Sequence, residues 1–151
     1  MKNIYTLTVS AGLTLLLAGC GAAPATPVAP AEVKASDAYA LDVTTVCNTK
    51  TNGVQAVLDQ AKKFNPIAVK KGVEFMRFGM PATDYINETQ KAIDTGAKEI
   101  VLLSKGKPTK DTMATDAAAE RACKFAITAL IQDHEAQTEW KLAVPSYGYK
   151  Y

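Results

Sequence analysis

The chain has 151 residues, which is enough for one globular domain. Its 17 Lys and Arg nearly balance its 15 Asp and Glu, and the formal net charge at pH 7 is +2. Because nucleic-acid binding needs a clustered basic face, this balance argues against a nucleic-acid partner.

The first 20 residues have the pattern of an export signal. Lys2 is followed by an apolar run from about Ile4 to Ala18, which is too short to be a comfortable membrane anchor and fits the core of a signal peptide. Leu17-Ala18-Gly19-Cys20 then resembles the lipobox of bacterial lipoproteins. The alternative is an ordinary secretory signal that happens to contain a cysteine.

The lipobox resemblance implies how the protein is delivered. In that family the peptide before the cysteine is removed, which here is residues 1–19, and the cysteine is acylated, which here is Cys20. Several acyl chains on one residue would anchor the protein to a membrane without a transmembrane helix. Gly21 follows the cysteine, where an Asp would imply inner-membrane retention, so the resemblance implies the outer membrane. The domain would then lie in the periplasm or at the cell surface.

The segment after the lipobox predicts a tether, and the folded domain follows it. Residues 20–36 are rich in alanine and proline, so a single globular domain is expected over residues 37–151. Alternation from Leu41 to Cys47 predicts a first strand. Asn52 and Gln55 have capping-box spacing, which predicts the start of a helix.

The middle of the chain predicts strands on both sides of a second helix. Asn65-Pro66 is expected to end the first helix. Residues 67–80 predict two strands or one bent strand, and Thr83 is a plausible cap for a helix that Gly96 ends. The unbroken apolar run Ile100–Leu103 predicts a strand covered on both faces.

The last third of the chain predicts the longest helix and a final strand. The helix is expected over residues 111–137, after a basic loop at residues 104–110, and the strand over residues 138–144. The resulting order is β-α-β-β-α-β-α-β. It predicts an α/β or α+β two-layer sandwich, with about three helices on one mixed sheet of four to five strands.

Two cysteines remain if Cys20 carries lipid. Cys47 lies on the apolar face of the first predicted strand, and Cys123 lies on the apolar side of the long helix. Because bacterial periplasm is oxidising, the sequence predicts a structural disulfide between them. A redox-active pair is the alternative, but it usually has close spacing such as Cys-x-x-Cys.

Three lysines form the most suggestive surface feature. Lys105, Lys107 and Lys110 lie in the predicted loop between a buried strand and the start of the long helix. Ligands often bind at strand exits, and a helix start offers free N–H groups to an anion. The sequence therefore offers a weak anion or glycan site here, with a solvated loop as the simpler interpretation.

Enzyme motifs do not stand out in this sequence. The single histidine, His134, has acidic neighbours that point in different directions on a helix, so the sequence predicts no metal site and no cofactor. Cys123 and His134 are about 16 Å apart along a helix, too far for a catalytic pair. The sequence favours a non-enzymatic binding or scaffolding domain whose partner is an envelope protein or a cell-wall glycan. An envelope enzyme without a recognisable motif is the alternative.

Overall fold

The structure is a computed structural model that describes residues 32–143, with side chains described for residues 32–139. This part of the chain contains six helices and two antiparallel pairs of strands. The helices are α1 Ser36–Tyr39, α2 Val43–Val46, α3 Thr49–Asn52, α4 Val54–Lys71, α5 Ala82–Thr95 and α6 Thr115–Ala143. The strands are β1 Met76–Arg77, β2 Met80–Pro81, β3 Glu99–Ser104 and β4 Lys107–Ala114.

The architecture is a helix-rich α+β fold. The predicted mixture of helices and strands is confirmed, but the predicted sandwich on one sheet of four to five strands is wrong. Each pair of strands is a separate hairpin, β1 with β2 and β3 with β4. No helix within residues 32–143 is both long and apolar enough to cross a membrane. The signal peptide, Cys20 and the tether up to residue 31 lie outside the described residues.

Helix α6 is the centre of the hydrophobic core, where it packs against α4 and α5. Small side chains let the neighbouring helices approach it closely, because alanine adds little width to a helix surface. The predicted long helix is confirmed, although it begins at Thr115 rather than at Asp111. Its buried hydrophobic residues are Ala118, Ala119, Ala122, Cys123, Ala126, Ile127, Ala129 and Leu130.

The predicted first strand is instead the short helix α2. Asp42 caps this helix, because its carboxylate accepts hydrogen bonds from the Thr44 N–H at 3.0 Å and from the Thr44 and Thr45 hydroxyls at 2.6 Å. These local bonds outweigh the strand preference of the β-branched residues. The predicted capping box is also wrong: Asn52 ends α3, and its side-chain amide donates to the Thr45 carbonyl at 2.8 Å.

The Asp42 cap should make stability depend on pH in the acid range. Its hydrogen bonds from Thr44 and Thr45 lower the pKa of Asp42 from 3.8 to about 2. A lowered folded-state pKa adds stability above about pH 4 that is lost as the pH falls towards about 2. We expect the stability advantage of the wild type over Asp42→Asn to shrink across this window, as measured by urea unfolding at pH 5, 4, 3 and 2. An advantage that stays constant would contradict this role of the carboxylate.

Helix α4 continues through Pro66, so its predicted end at Asn65 is wrong. Phe64 and Ala68 are both fully buried, so the turn after Pro66 still contributes to the core. Of the strands predicted over residues 67–80, the structure has only the two short strands β1 and β2. The predicted end of α5 is confirmed, because Gly96 adopts a left-handed conformation with φ 70°.

The last two predicted strands have different outcomes. Strand β3 contains the predicted run Ile100–Leu103, but Val101 is 42% exposed. The run is therefore not covered on both faces, because the face that carries Val101 is open to solvent while Ile100 is buried on the other. The predicted final strand is wrong, since residues 138–143 continue α6, and Val144 lies outside the described residues.

Candidate functional site

Cys47 and Cys123 lie at disulfide-bonding distance, with Sγ atoms 1.96 Å apart and Cα atoms 5.6 Å apart. Both side chains are fully buried in the core. The predicted pairing is therefore confirmed, and it joins the end of α2 to the middle of α6. A bond with no exposed sulfur fits a structural brace better than a redox centre.

A polar contact next to the disulfide supports the same junction. One carboxylate oxygen of Glu120 accepts hydrogen bonds from the Thr49 N–H at 3.0 Å and from the Thr49 hydroxyl at 2.9 Å. The Thr49 N–H is the largest influence that lowers the pKa of Glu120, and burial opposes it. The other carboxylate oxygen lies 3.5 Å from Lys124 Nζ, as the spacing on the helix predicts.

His134 lies on the surface of α6, and its ring stacks on Tyr39 with centroids 4.1 Å apart. Its neighbour Asp133 pairs with Lys71 at 2.6 Å instead of facing the histidine. Among residues 32–139, no three His, Cys, Asp or Glu side chains are grouped as a metal site would require. His134 therefore acts as a packing residue that holds the start of the domain against α6.

The three predicted anion-binding lysines are not at a helix start. Lys105 lies in the two-residue turn between β3 and β4, and Lys107 and Lys110 belong to β4 itself. Lys105 and Gly106 both have positive φ, 52° and 75°, which is the pattern of a tight hairpin turn. The predicted loop is therefore wrong, because residues 105 and 106 form a tight turn and residues 107–110 belong to β4.

A cleft of about 470 Å³ lies where both hairpins meet α5 and α6. Its floor is apolar, with Met80 and Tyr85 each only 1% exposed. The polar side chains along its rim are those of Ser104, Thr109 and Asp111. The cleft thus combines an apolar floor with a few polar groups, as small-ligand sites generally do.

Contacts between the hairpins fix the shape of this cleft. The Lys105 N–H donates to the Gly79 carbonyl at 3.0 Å, and the Leu103 N–H donates to Met80 Sδ at 3.3 Å. A Cβ atom at position 79 would come within 3.3 Å of the Lys105 nitrogen, and Gly79 has φ 78°. Glycine is therefore required where the two turns touch.

Two arginines line the cleft, and they are the only arginines in the chain. Arg121 Cζ lies 5.8 Å from the centroid of the Tyr85 ring, and Arg77 Cζ lies 5.1 Å from that of Phe78. Both side chains also line an adjoining depression of about 310 Å³, together with Lys124 and Glu120. Arg77 and Arg121 therefore form the wall that the two concavities share.

Neither guanidinium pairs with a described carboxylate. The three ion pairs found among residues 32–139 all use lysines. A guanidinium close to an aromatic ring is attracted to the ring electrons and still carries five N–H donors. The cleft thus presents hydrogen-bond donors and positive charge, both of which suit an anion.

Comparisons with protein-family models, with curated proteins and with solved structures found no match. The chemistry of the cleft is therefore what indicates a function. Two permanent positive charges face one exposed carboxylate, that of Asp111, so the cleft has a net positive charge. The hydroxyl of Thr109 is already engaged, because it donates to the Leu102 carbonyl at 2.9 Å.

These arginines are not among the functional residues that the sequence predicts. They are separated by β2, the whole of α5 and both strands of the second hairpin, and no sequence motif connects them. One signal was available: only two of the 17 basic residues are arginines, the side chain that best matches planar anions.

Proposed function

We propose that the protein is a lipid-anchored lipoprotein of the bacterial outer membrane whose domain binds an anionic ligand between Arg77 and Arg121. The lipobox resemblance at Cys20 supports the anchor, and the net positive cleft supports the binding activity. The domain would work in the periplasm or at the cell surface. This is a binding function of the kind that the sequence favours, with the site moved from the lysine turn to the arginine cleft.

The observation that carries the binding proposal is the convergence of the only two arginines on one concave site. Two like charges that line one cleft repel each other, and neither guanidinium lies within salt-bridge distance of a described carboxylate. A bound anion would remove this repulsion. Phosphate and carboxylate groups match the guanidinium fork, because each can accept two parallel hydrogen bonds from it.

The proposed ligand is a phosphate or carboxylate group of an envelope molecule, such as a cell-wall glycan or an acidic partner protein. Lys105 would add positive charge nearby, because its turn touches that of Gly79. Binding is favoured over catalysis because arginine does not exchange protons near neutral pH. The two arginines therefore offer charge and hydrogen bonds rather than a general base, and the one carboxylate of the cleft, that of Asp111, is exposed.

Inorganic phosphate is a simple probe of this proposal. We expect Arg121→Gln and Arg77→Gln each to weaken phosphate binding by at least about tenfold, since a hydrogen bond to a charged group contributes roughly 1.5–3 kcal/mol. Isothermal titration calorimetry at low salt measures this loss. Lys91→Gln is the matched control: it also removes one positive charge, but from the surface of α5, where Lys91 pairs with Glu88 at 2.6 Å.

The same titration separates the arginine cleft from the lysine hypothesis. If the anion site is the lysine turn, a triple alanine variant of Lys105, Lys107 and Lys110 will abolish binding while the arginine variants retain it. If the cleft is the site, the triple variant will lose far less affinity than Arg121→Gln. Wild-type affinity in both arginine variants would reject the proposed cleft.

A further inference from the structure

The β1–β2 hairpin that borders the cleft carries two large apolar side chains that face solvent. Phe78 is 78% exposed and Met76 is 63% exposed, and both belong to the β1–β2 hairpin. Phe78 also has φ 53°, in the left-handed region that large side chains rarely adopt. Asn or Gly would suit this turn better. A strained, exposed aromatic ring at the edge of a binding cleft is a sign of a functional contact.

We infer that the anionic ligand is the phosphate of a membrane-lipid headgroup, and that Phe78 and Met76 enter the bilayer interface while Arg77 and Arg121 hold that phosphate. This inference rests on the proposed anion-binding cleft and names its ligand. The occupant is one leaflet of an anionic bilayer rather than a free phosphate or a protein.

The arrangement of charge and apolar surface supports a lipid surface. Arg77 lies between Met76 and Phe78 in the sequence, and its Cζ atom lies 5.1 Å from the Phe78 ring centroid. Positive charge and apolar surface are thus combined at one edge. A bilayer surface is complementary to this arrangement of charge and apolar surface, because its phosphate groups lie directly above its acyl chains. Lys105, on the touching turn, adds attraction to an anionic leaflet.

The proposed lipid anchor is compatible with this contact. About 12 residues separate Cys20 from Glu32, and an extended chain of that length spans at most about 40 Å. The start of the domain packs on α6 through Tyr39 and His134. That point is about 20 Å along the helix from Arg121, at 1.5 Å per residue. The extended length of the tether therefore exceeds this axial separation, as the proposed contact of anchor and hairpin with one membrane requires.

Phe78→Asn provides a selective test, because asparagine tolerates the left-handed turn conformation and should leave the fold intact. The protein used is residues 20–151 with Cys20→Ser, which retains the whole described domain but no lipid. We expect Phe78→Asn to weaken binding to phosphatidylglycerol vesicles about tenfold, as the withdrawal of one large apolar side chain predicts, and to weaken binding of inorganic phosphate far less, because both arginines remain. Val69→Asn, which alters a 48%-exposed apolar side chain on α4, should change neither.

The outcomes distinguish this inference from the proposed function. Arg121→Gln should weaken both vesicle and phosphate binding. If Phe78→Asn binds vesicles as the wild type does, or if the wild type binds phosphate but not vesicles, the lipid inference is overturned and the anion cleft stands. If phosphate binding does not depend on the arginines, the proposed function itself fails.

The depth at which the hairpin enters the bilayer can be measured directly on the lipidated chain. Trp140 is the only tryptophan, so Phe78→Trp in a Trp140→Phe background places a single reporter at the hairpin. We expect lipids with brominated acyl chains to quench this reporter, and to leave a Val69→Trp reporter in the same background unquenched. Equal quenching of both reporters, or of neither, would overturn the proposed insertion of the hairpin.

Discussion

Replacing Cys47 and Cys123 together with alanine is expected to destabilise the domain by about 4–5 kcal/mol. The two cysteines are 76 residues apart, and a cross-link over a loop of this length removes that much conformational freedom from the unfolded chain in the entropic account of disulfides. For a domain of about 110 residues, this corresponds to a fall in Tm of roughly 15–20 °C. The loss of two fully buried sulfur atoms adds to the effect.

Thermal unfolding followed by circular dichroism measures this effect. Wild-type protein treated with a reductant should melt close to the double variant, because both lack the cross-link. Non-reducing peptide mapping should also find the two cysteine peptides linked. A double variant that melts within a few degrees of the oxidised wild type would contradict the role of the disulfide as the main brace of this domain.

The disulfide could be predicted although part of its structural context could not. Helical spacing placed Cys123 on the buried side of α6, and the structure confirms both the helix and the burial. Alternation placed Cys47 on the inward side of a strand, yet Cys47 follows a helical turn. The Asp42 carboxylate binds the hydroxyls of Thr44 and Thr45, and these bonds favour the turn over the strand. The burial of Cys47 was therefore predicted correctly, although the secondary structure around it was not.

Tertiary packing explains why helix α4 continues past its predicted end. Pro66 lacks only one N–H group, and helix α4 continues because Phe64 and Ala68 fill the core on either side of it. Asn65 also gains two partners across the domain, since its amide donates to Glu74 at 3.1 Å and to the Thr83 hydroxyl at 2.9 Å. Such long-range contacts are absent from local sequence rules, which therefore end the helix too early.

The arginine cleft was beyond sequence reasoning for a related reason. It forms only because the turns of two hairpins touch, and both turns have uncommon residues at their first position. Phe78 and Lys105 adopt positive φ, 53° and 52°, where asparagine or glycine would have been a recognisable signal. Without those turns, nothing in the sequence brings Arg77 to Arg121.

Cys20→Ser is expected to abolish acylation and to remove the protein from the outer-membrane fraction as an unprocessed precursor. The lipobox resemblance makes the Cys20 thiol the point of lipid attachment, and serine has no thiol to modify. Each buried methylene contributes about 0.8 kcal/mol, so the loss of several acyl chains would remove nearly all of the attachment energy. Binding through the hairpin alone would be reversible and weak by comparison.

Radiolabelled palmitate, membrane fractionation and the mass of the processed chain together measure this loss. Cys47→Ala is the matched control, because it removes a cysteine from the folded domain and should lower Tm while lipidation and membrane attachment persist. The lipid-anchor proposal fails if Cys20→Ser is still processed at the same position and still fractionates with the outer membrane. It fails equally if the wild type incorporates no palmitate, since Cys20 would then belong to an ordinary secretory signal.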